Sequence, residues 1–278
     1  MTSVRRRRLG RELRRLREAA GLTGEQVAAR LECSASKISR METGKVPVSA
    51  RDVRDVAAIY DVPDDLRDSL IQLARESRQK GWWQAYADSV QPQLAVYLDM
   101  ESEASEIRLY RAIRIPSLLQ TVGYAHAISV PAAISGVQSE DSRSVPLMME
   151  RQRRASGSTS KIWAVIHEAA LRRQVGGPDV MRAQIEHLLA ESAKPGMFLQ
   201  VIPLSTGAHA AMDTPFVIFA FPDQSETDIV CVAYATGALW IEDAAEVRTY
   251  ATLYQHLQAA ALSPGDSSGL MASVLRDC

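Results

Sequence analysis

The chain predicts two domains of different build. An all-α domain of five helices covers residues 1–78, and an α/β or α+β domain with a mixed sheet covers residues 79–262, leaving residues 263–278 as a tail. Three observations predict this. Up to residue 78, apolar residues recur at helical spacing between cap and breaker residues. From Lys161 onward, β-rich runs alternate with helical ones, as in helices layered on a sheet. The charge also changes sign: residues 1–60 hold 14 Lys/Arg against 7 Asp/Glu, and the remainder holds 18 against 26. A basic half joined to an acidic one marks a nucleic-acid module fused to a domain of another kind.

The first helix follows Arg5-Arg6-Arg7-Arg8 and carries Leu9, Leu13, Leu16 and Ala20 on one face. Arg11, Arg14, Arg15 and Arg17 lie elsewhere on it, either as a solvated face or as phosphate contacts, and Gly21 ends it. Thr23 then caps a second helix, and Gln26 completes a capping box ahead of Val27, Ala28 and Leu31. Glu32-Cys33 makes a turn, and Ser34 caps a third, short helix. Ile38 and Met41 point inward at i and i+3, and Gly44 stops the helix. Ser36, Lys37, Ser39 and Arg40 are left facing out, as a helix entering the DNA major groove requires. Ser49 and Asp52 box a fourth helix with Val53, Val56, Ala57 and Tyr60 inward. After Asp61-Val62-Pro63-Asp64, a fifth carries Leu66, Leu70, Leu73 and Ala74.

Arg78-Gln79-Lys80-Gly81 reads as a linker. Trp82, Trp83 and Tyr86 follow, either as core anchoring the next domain or as a base-stacking cluster. A long helix is expected from Gln93 to Ala112, with Leu98, Glu101, Ala104, Ile107 and Tyr110 at spaced positions. Helices over Ser117–His126 and Ser139–Ser156 come next. Strands are expected at Lys161–Ile166, Met197–Ile202, Pro215–Phe221, Ile229–Ala235 and Ala238–Ile241. Helices at Glu168–Arg173, from Pro178 through Leu189, and at Glu242–Leu262 complete the series.

The segment Leu22–Lys45 resembles the lambda-repressor-like, or Xre-type, helix-turn-helix family. The resemblance rests on Leu22-Thr23, Glu25, Ala28, Ser34, Ile38-Ser39-Arg40-Met41-Glu42 and Gly44-Lys45. It implies a transcriptional regulator that binds an inverted-repeat operator in double-stranded DNA as a homodimer. Ser34, Ser36, Lys37, Ser39, Arg40, Thr43 and Lys45 are the expected DNA contacts, with Ser36 and Lys37 nearest the base edges and Lys45 on phosphate. Two positions depart from the family. Gly24 stands where a phosphate-contacting Gln is usual, and Glu32 where the turn usually has Gly, so Glu32 is expected at positive φ.

The second half resembles the uncharacterised, antitoxin-like C-terminal domain of actinobacterial Xre-type regulators. The matching residues are Ile115–Thr121, Tyr124-Ala125, Arg151-Gln152, His167–Arg173, Gly176-Gly177, Val180–Arg182, Gln200–Pro203, Gly207–His209 and Pro215-Phe216. Ser117 replaces a usual Gly, and Cys231-Val232-Ala233 a usual Tyr-Val-Glu. The resemblance implies an antitoxin-like platform for a small partner protein. A domain that responds to a small-molecule effector and a cryptic hydrolase, for which the sequence offers no preorganised nucleophile and base, are the other two classes the second domain leaves open.

Catalytic, metal and cofactor sites are not expected. His167-Glu168 begins like a zinc-protease motif, but Leu171 stands where the second His belongs. Ser34–Lys37 and Ser158–Lys161 match S-x-x-K without its companion motifs. His126, His167, His187, His209 and His256 lack ligand spacing, and His209 is the one placed to line a pocket. Cys33, Cys231 and Cys278 suggest reduced thiols. No membrane-length apolar run or signal-peptide pattern is present, so a cytoplasmic chain without membrane partners is expected.

Overall fold

The computed structural model describes residues 4–78, 81–90, 92–135, 145–222 and 227–277. It divides into two units, Met1–Ala85 with Leu98–Met100, and Tyr86–Tyr97 with Glu101–Cys278. The first therefore runs past residue 78 and ends inside a 3-10 segment at Trp82–Ser89. Trp82, Trp83 and Tyr86 are half-buried, and Trp83 Nε1 donates to Asp99 at 3.0 Å, a protein contact for the indole.

The first unit is the expected five-helix domain: α1 (Val4–Ala19), α2 (Gly24–Arg30), α3 (Ala35–Glu42), α4 (Ala50–Tyr60) and α5 (Asp64–Glu76). Helices as short as α2 and α3 are unstable alone in water, so caps and core must hold them. Thr23 and Gln26 form a reciprocal box, Ser34 Oγ accepts from Lys37 N–H, and Ser49 and Asp52 box α4. Leu9, Leu13, Val27, Ile38, Met41, Val53, Val56 and Leu70 share one core. Each such aliphatic burial contributes about 1.5–3 kcal/mol before entropy is counted.

The helix α1 crosses the end of α3 backbone to backbone. A Cβ on Gly10 would lie 2.5 Å from Glu42 O and 2.7 Å from Met41 O. Gly44, at φ +70°, similarly leaves a Cβ only 3.2 Å from the backbone of Arg6 and Arg7. Arg17 locks the crossing: Nε and Nη2 donate to Glu42 at 2.6 and 3.0 Å, and Nη1 to Leu22 O at 2.8 Å.

Glu32 adopts φ 49°, as expected of the residue in the usual glycine position. The left-handed region costs an L-residue about 1–2 kcal/mol, partly offset by glycine's greater freedom in the unfolded chain. Glu32→Gly should thus stabilise the domain by roughly 0.5–1 kcal/mol, read as a rise in its thermal midpoint. A fall would mean that the glutamate side chain compensates for its backbone.

The second unit is built on a six-stranded mixed sheet of order β3-β2-β1-β4-β5-β6. Its strands are β1 (Glu106–Arg111), β2 (Lys161–His167), β3 (Met197–Ile202), β4 (Phe216–Ala220), β5 (Ile229–Tyr234) and β6 (Gly237–Ile241). The first three are mutually parallel, and the β1–β4, β4–β5 and β5–β6 pairs are antiparallel. The helices are α6 (Pro92–Glu103), α7 (Val122–Ser135), α8 (Val145–Ser156), α9 (Glu168–Arg172), α10 (Pro178–Ser192), α11 (Ala244–Ala260) and α12 (Pro264–Asp277). One sheet face packs Tyr110, Val165, Ile202, Phe216 and Ile218 against Val247, Tyr254 and Leu257 of α11. On the other, Phe219 meets Tyr97 of α6 edge to face at 5.2 Å.

Three expectations need correction, and a fourth falls partly outside the described residues. The long helix Gln93–Ala112 is a helix ending at Glu103 followed by the central strand β1. Its Glu-Ile-Arg-Leu-Tyr-Arg sequence also alternates with period two, and pairing on both sides selects the strand. The helix Ser117–His126 is a 3-10 turn at Ser117–Leu119 and then α7, separated where Thr121 N–H donates to the side-chain Oε1 of the buried Gln184 at 2.7 Å. Of the helix Ser139–Ser156, the part from Val145 is present, and its start lies outside the described residues. The tail is helix α12, whose Ser267, Met271 and Val274 are buried. Its polar opening hides a buried face on which Met271 and Val274 follow Ser267 at i+4 and i+7.

No described helix is long and apolar enough to cross a membrane.

Candidate nucleic-acid interface

Exposure of α3 follows from its sequence. Ile38 and Met41 are each 2 % exposed in the domain core, which turns Ser34, Ser36, Ser39 and Arg40 outward. Thr43 and Lys45, just past the helix, are exposed too. Six of the seven expected contacts thus lie exposed on one short helix and its exit. They are poised differently. Thr43 Oγ1 donates back to Ser39 O at 2.7 Å, and Arg40 Nε donates to Ser36 O at 3.3 Å. Among the described residues, Lys45 Nζ and the terminal Arg40 nitrogens have no partner.

Lys37 is the exception. Its Nζ lies 2.9 Å from Asp52 Oδ1, and the side chain is 45 % exposed. Asp52 also accepts from Ser49 N–H and Oγ–H, so Lys37 joins the N-terminal box of α4. The hydrogen bond to Asp52 raises the Lys37 pKa. Burial opposes ionisation of Asp52, but the bonds from Ser49 and Lys37 prevail and hold its carboxyl below the usual range. Both groups are therefore charged at neutral pH, and Lys37 must leave Asp52 to reach a base. Its place in the first turn of α3 was legible; its partner, 15 residues on in another helix, was not.

The arginines of α1 are also sorted. Arg14 pairs with Glu18, Arg15 with Glu12, and Arg17 with Glu42. Glycine at position 24 leaves the start of α2 without a side chain, and a Cβ there would find only Ile38 Cγ2, at 3.9 Å.

In the second unit, the carboxyl ends of β1 and β2 bring three polar side chains together. Tyr110 Oη lies 3.2 Å from His209 Nε2, and the His167 and His209 rings are 5.6 Å apart. Burial, and then the neighbouring His167, lower the His209 pKa, while burial pushes Tyr110 up to about 12. His209 was singled out from sequence, but Tyr110 was missed because β1 was read as helix. Glu168 is buried, bonded to Arg172 Nε at 2.6 Å and to Leu204 N–H at 2.8 Å. Among the described residues no cluster of three metal-ligating side chains occurs. Cys33 and Cys231 are free thiols, and Cys278 lies outside the described residues.

A five-helix domain with an exposed helix-turn-helix, followed by a separate sheet domain, defines a DNA-binding regulator with an appended domain. Residues 8–70 match the family model described as a helix-turn-helix domain, and residues 94–273 the one described as a domain of unknown function, DUF5753. The chain belongs to the DUF5753 family, in the Xre-type arrangement of an N-terminal helix-turn-helix and an uncharacterised C-terminal domain. The matched range reaches into α12, which the expected tail excluded. No curated protein and no solved structure matches the chain.

Proposed function

We propose that the protein is a sequence-specific transcriptional regulator that binds an inverted-repeat operator as a dimer and is regulated through its C-terminal domain. The observation that carries this is the exposure of Ser36, Ser39 and Arg40 on α3 over the buried Ile38 and Met41. Ser36 and Arg40 read base edges, and Lys45 neutralises phosphate. Lys37 steadies the α3–α4 junction through Asp52. A small-molecule effector enters at Tyr110, His167 and His209, at the carboxyl ends of parallel strands where open sheets receive ligands. No residue is assigned a catalytic role.

The test is DNA affinity across a salt series on a selected operator and on random duplex. Lys45→Ala should weaken both similarly and reduce the salt slope by about one unit. Arg40→Ala should cost about 1–3 kcal/mol on the operator and much less on random DNA. Equal losses on both DNAs for Arg40→Ala would remove it from base reading.

A further inference from the structure

The two edges of the sheet are treated differently. At β3, Leu262 N–H donates to Val201 O at 2.9 Å, and Val201 N–H donates to Ser267 Oγ at 2.9 Å. That edge is closed by the chain's own last helix. At β6, Tyr234 and Gly237 flank a two-residue turn, so antiparallel alternation points the backbone of Gly237, Leu239 and Ile241 into β5. Ala238 and Trp240 direct theirs outward. Among the described residues, no hydrogen bond reaches those outward groups. Residues 229–241 contain no charge and no proline, the usual devices that blunt an edge. Leu239 and Tyr234 are 55 % and 57 % exposed.

We propose that β6 is a dimer contact: two copies pair antiparallel about a two-fold axis at Leu239, joining both sheets into one. This rests on the dimeric reading above and names its surface. The strand is self-complementary about that axis. Ala238 exchanges both backbone bonds with Trp240 of the partner subunit, and Trp240 does the same with the partner's Ala238. The order Gly237-Ala238-Leu239-Trp240-Ile241 sets each small residue against a large one on both faces. Leu239 meets its own copy as a non-hydrogen-bonded pair, with Cα atoms about 4.5 Å apart. That symmetry favours a second copy over a foreign strand, and the contact is isologous.

Sedimentation of the full chain over a concentration series, with circular dichroism as a folding control, tests it. Wild type should show a dimer. Leu239→Lys places like charges across the axis, and Ala238→Pro removes an outward donor without touching the ladder to β5. Both should sediment as monomers at concentrations where wild type is dimeric, while still binding a single half-site. Leu239→Cys should form an intermolecular disulfide under mild oxidation that wild type, with its native thiols, does not. A wild-type monomer at every concentration overturns the proposal. So does a dimer unchanged by the folded variants and uncrosslinked by Leu239→Cys. In that last case a dimeric regulator stands and only its surface is elsewhere; loss of half-site binding by wild type would instead overturn the DNA-binding reading itself.

Discussion

Arg17→Ala is expected to destabilise the helix-turn-helix domain by about 3 kcal/mol, the lower end of the range for breaking a buried ion pair. The Arg17 and Glu42 side chains are 13 % and 9 % exposed, so little solvent screens the carboxylate left behind. The same substitution removes the bond to Leu22 O, which ties α1 to the start of the motif. Chemical denaturation of the wild type and variant measures the loss. The double variant Arg17→Met, Glu42→Leu should recover most of it, because desolvation of both charges is then avoided. Near-neutral behaviour of Arg17→Ala would show that the pair is held too loosely to matter.

Gly10→Ala should cost about 3 kcal/mol, at the upper end for overpacking. The added carbon would meet two backbone carbonyls, Glu42 O and Met41 O, which no rotamer change can move. Relief requires α1 to lift from α3, and α3 carries the exposed Ser36 and Arg40. The variant should therefore lose DNA affinity along with stability. Gly21→Ala, where nothing lies within 4 Å of an added Cβ but φ is +68°, separates backbone strain from crowding. It should cost less and leave DNA binding intact. Equal effects at both glycines would place the cost in the backbone rather than in the crossing.

Local chemistry made the first domain legible. Caps at Thr23, Ser34 and Ser49, glycine after α3 and apolar residues at helical spacing are each written within a few residues of their effect. What escaped is set by distance along the chain. Gly10 matters only because α1 meets the end of α3, and Lys37 turns inward only because Asp52 caps the next helix. In the second domain the other five strands were read correctly, while β1 was not. Tyr110 is buried beside the buried Leu109 and Arg111, which breaks the alternation at the end of the strand, and it fits a helical stripe extended from Leu98 as well as a strand. With β1 taken for helix, the approach of Tyr110 to His209 had no means of showing itself.

Selection of binding sites from a random duplex pool by the full-length protein tests the central claim most directly. Wild type should enrich an inverted repeat with half-site centres about one helical turn, roughly 34 Å, apart. Arg40→Ala should relax the preference at one position in each half-site, while Lys45→Ala should recover the same sequence in lower yield. Enrichment of no sequence by the folded protein, or an enriched sequence unchanged by substituting both Ser36 and Arg40, would contradict sequence recognition by α3.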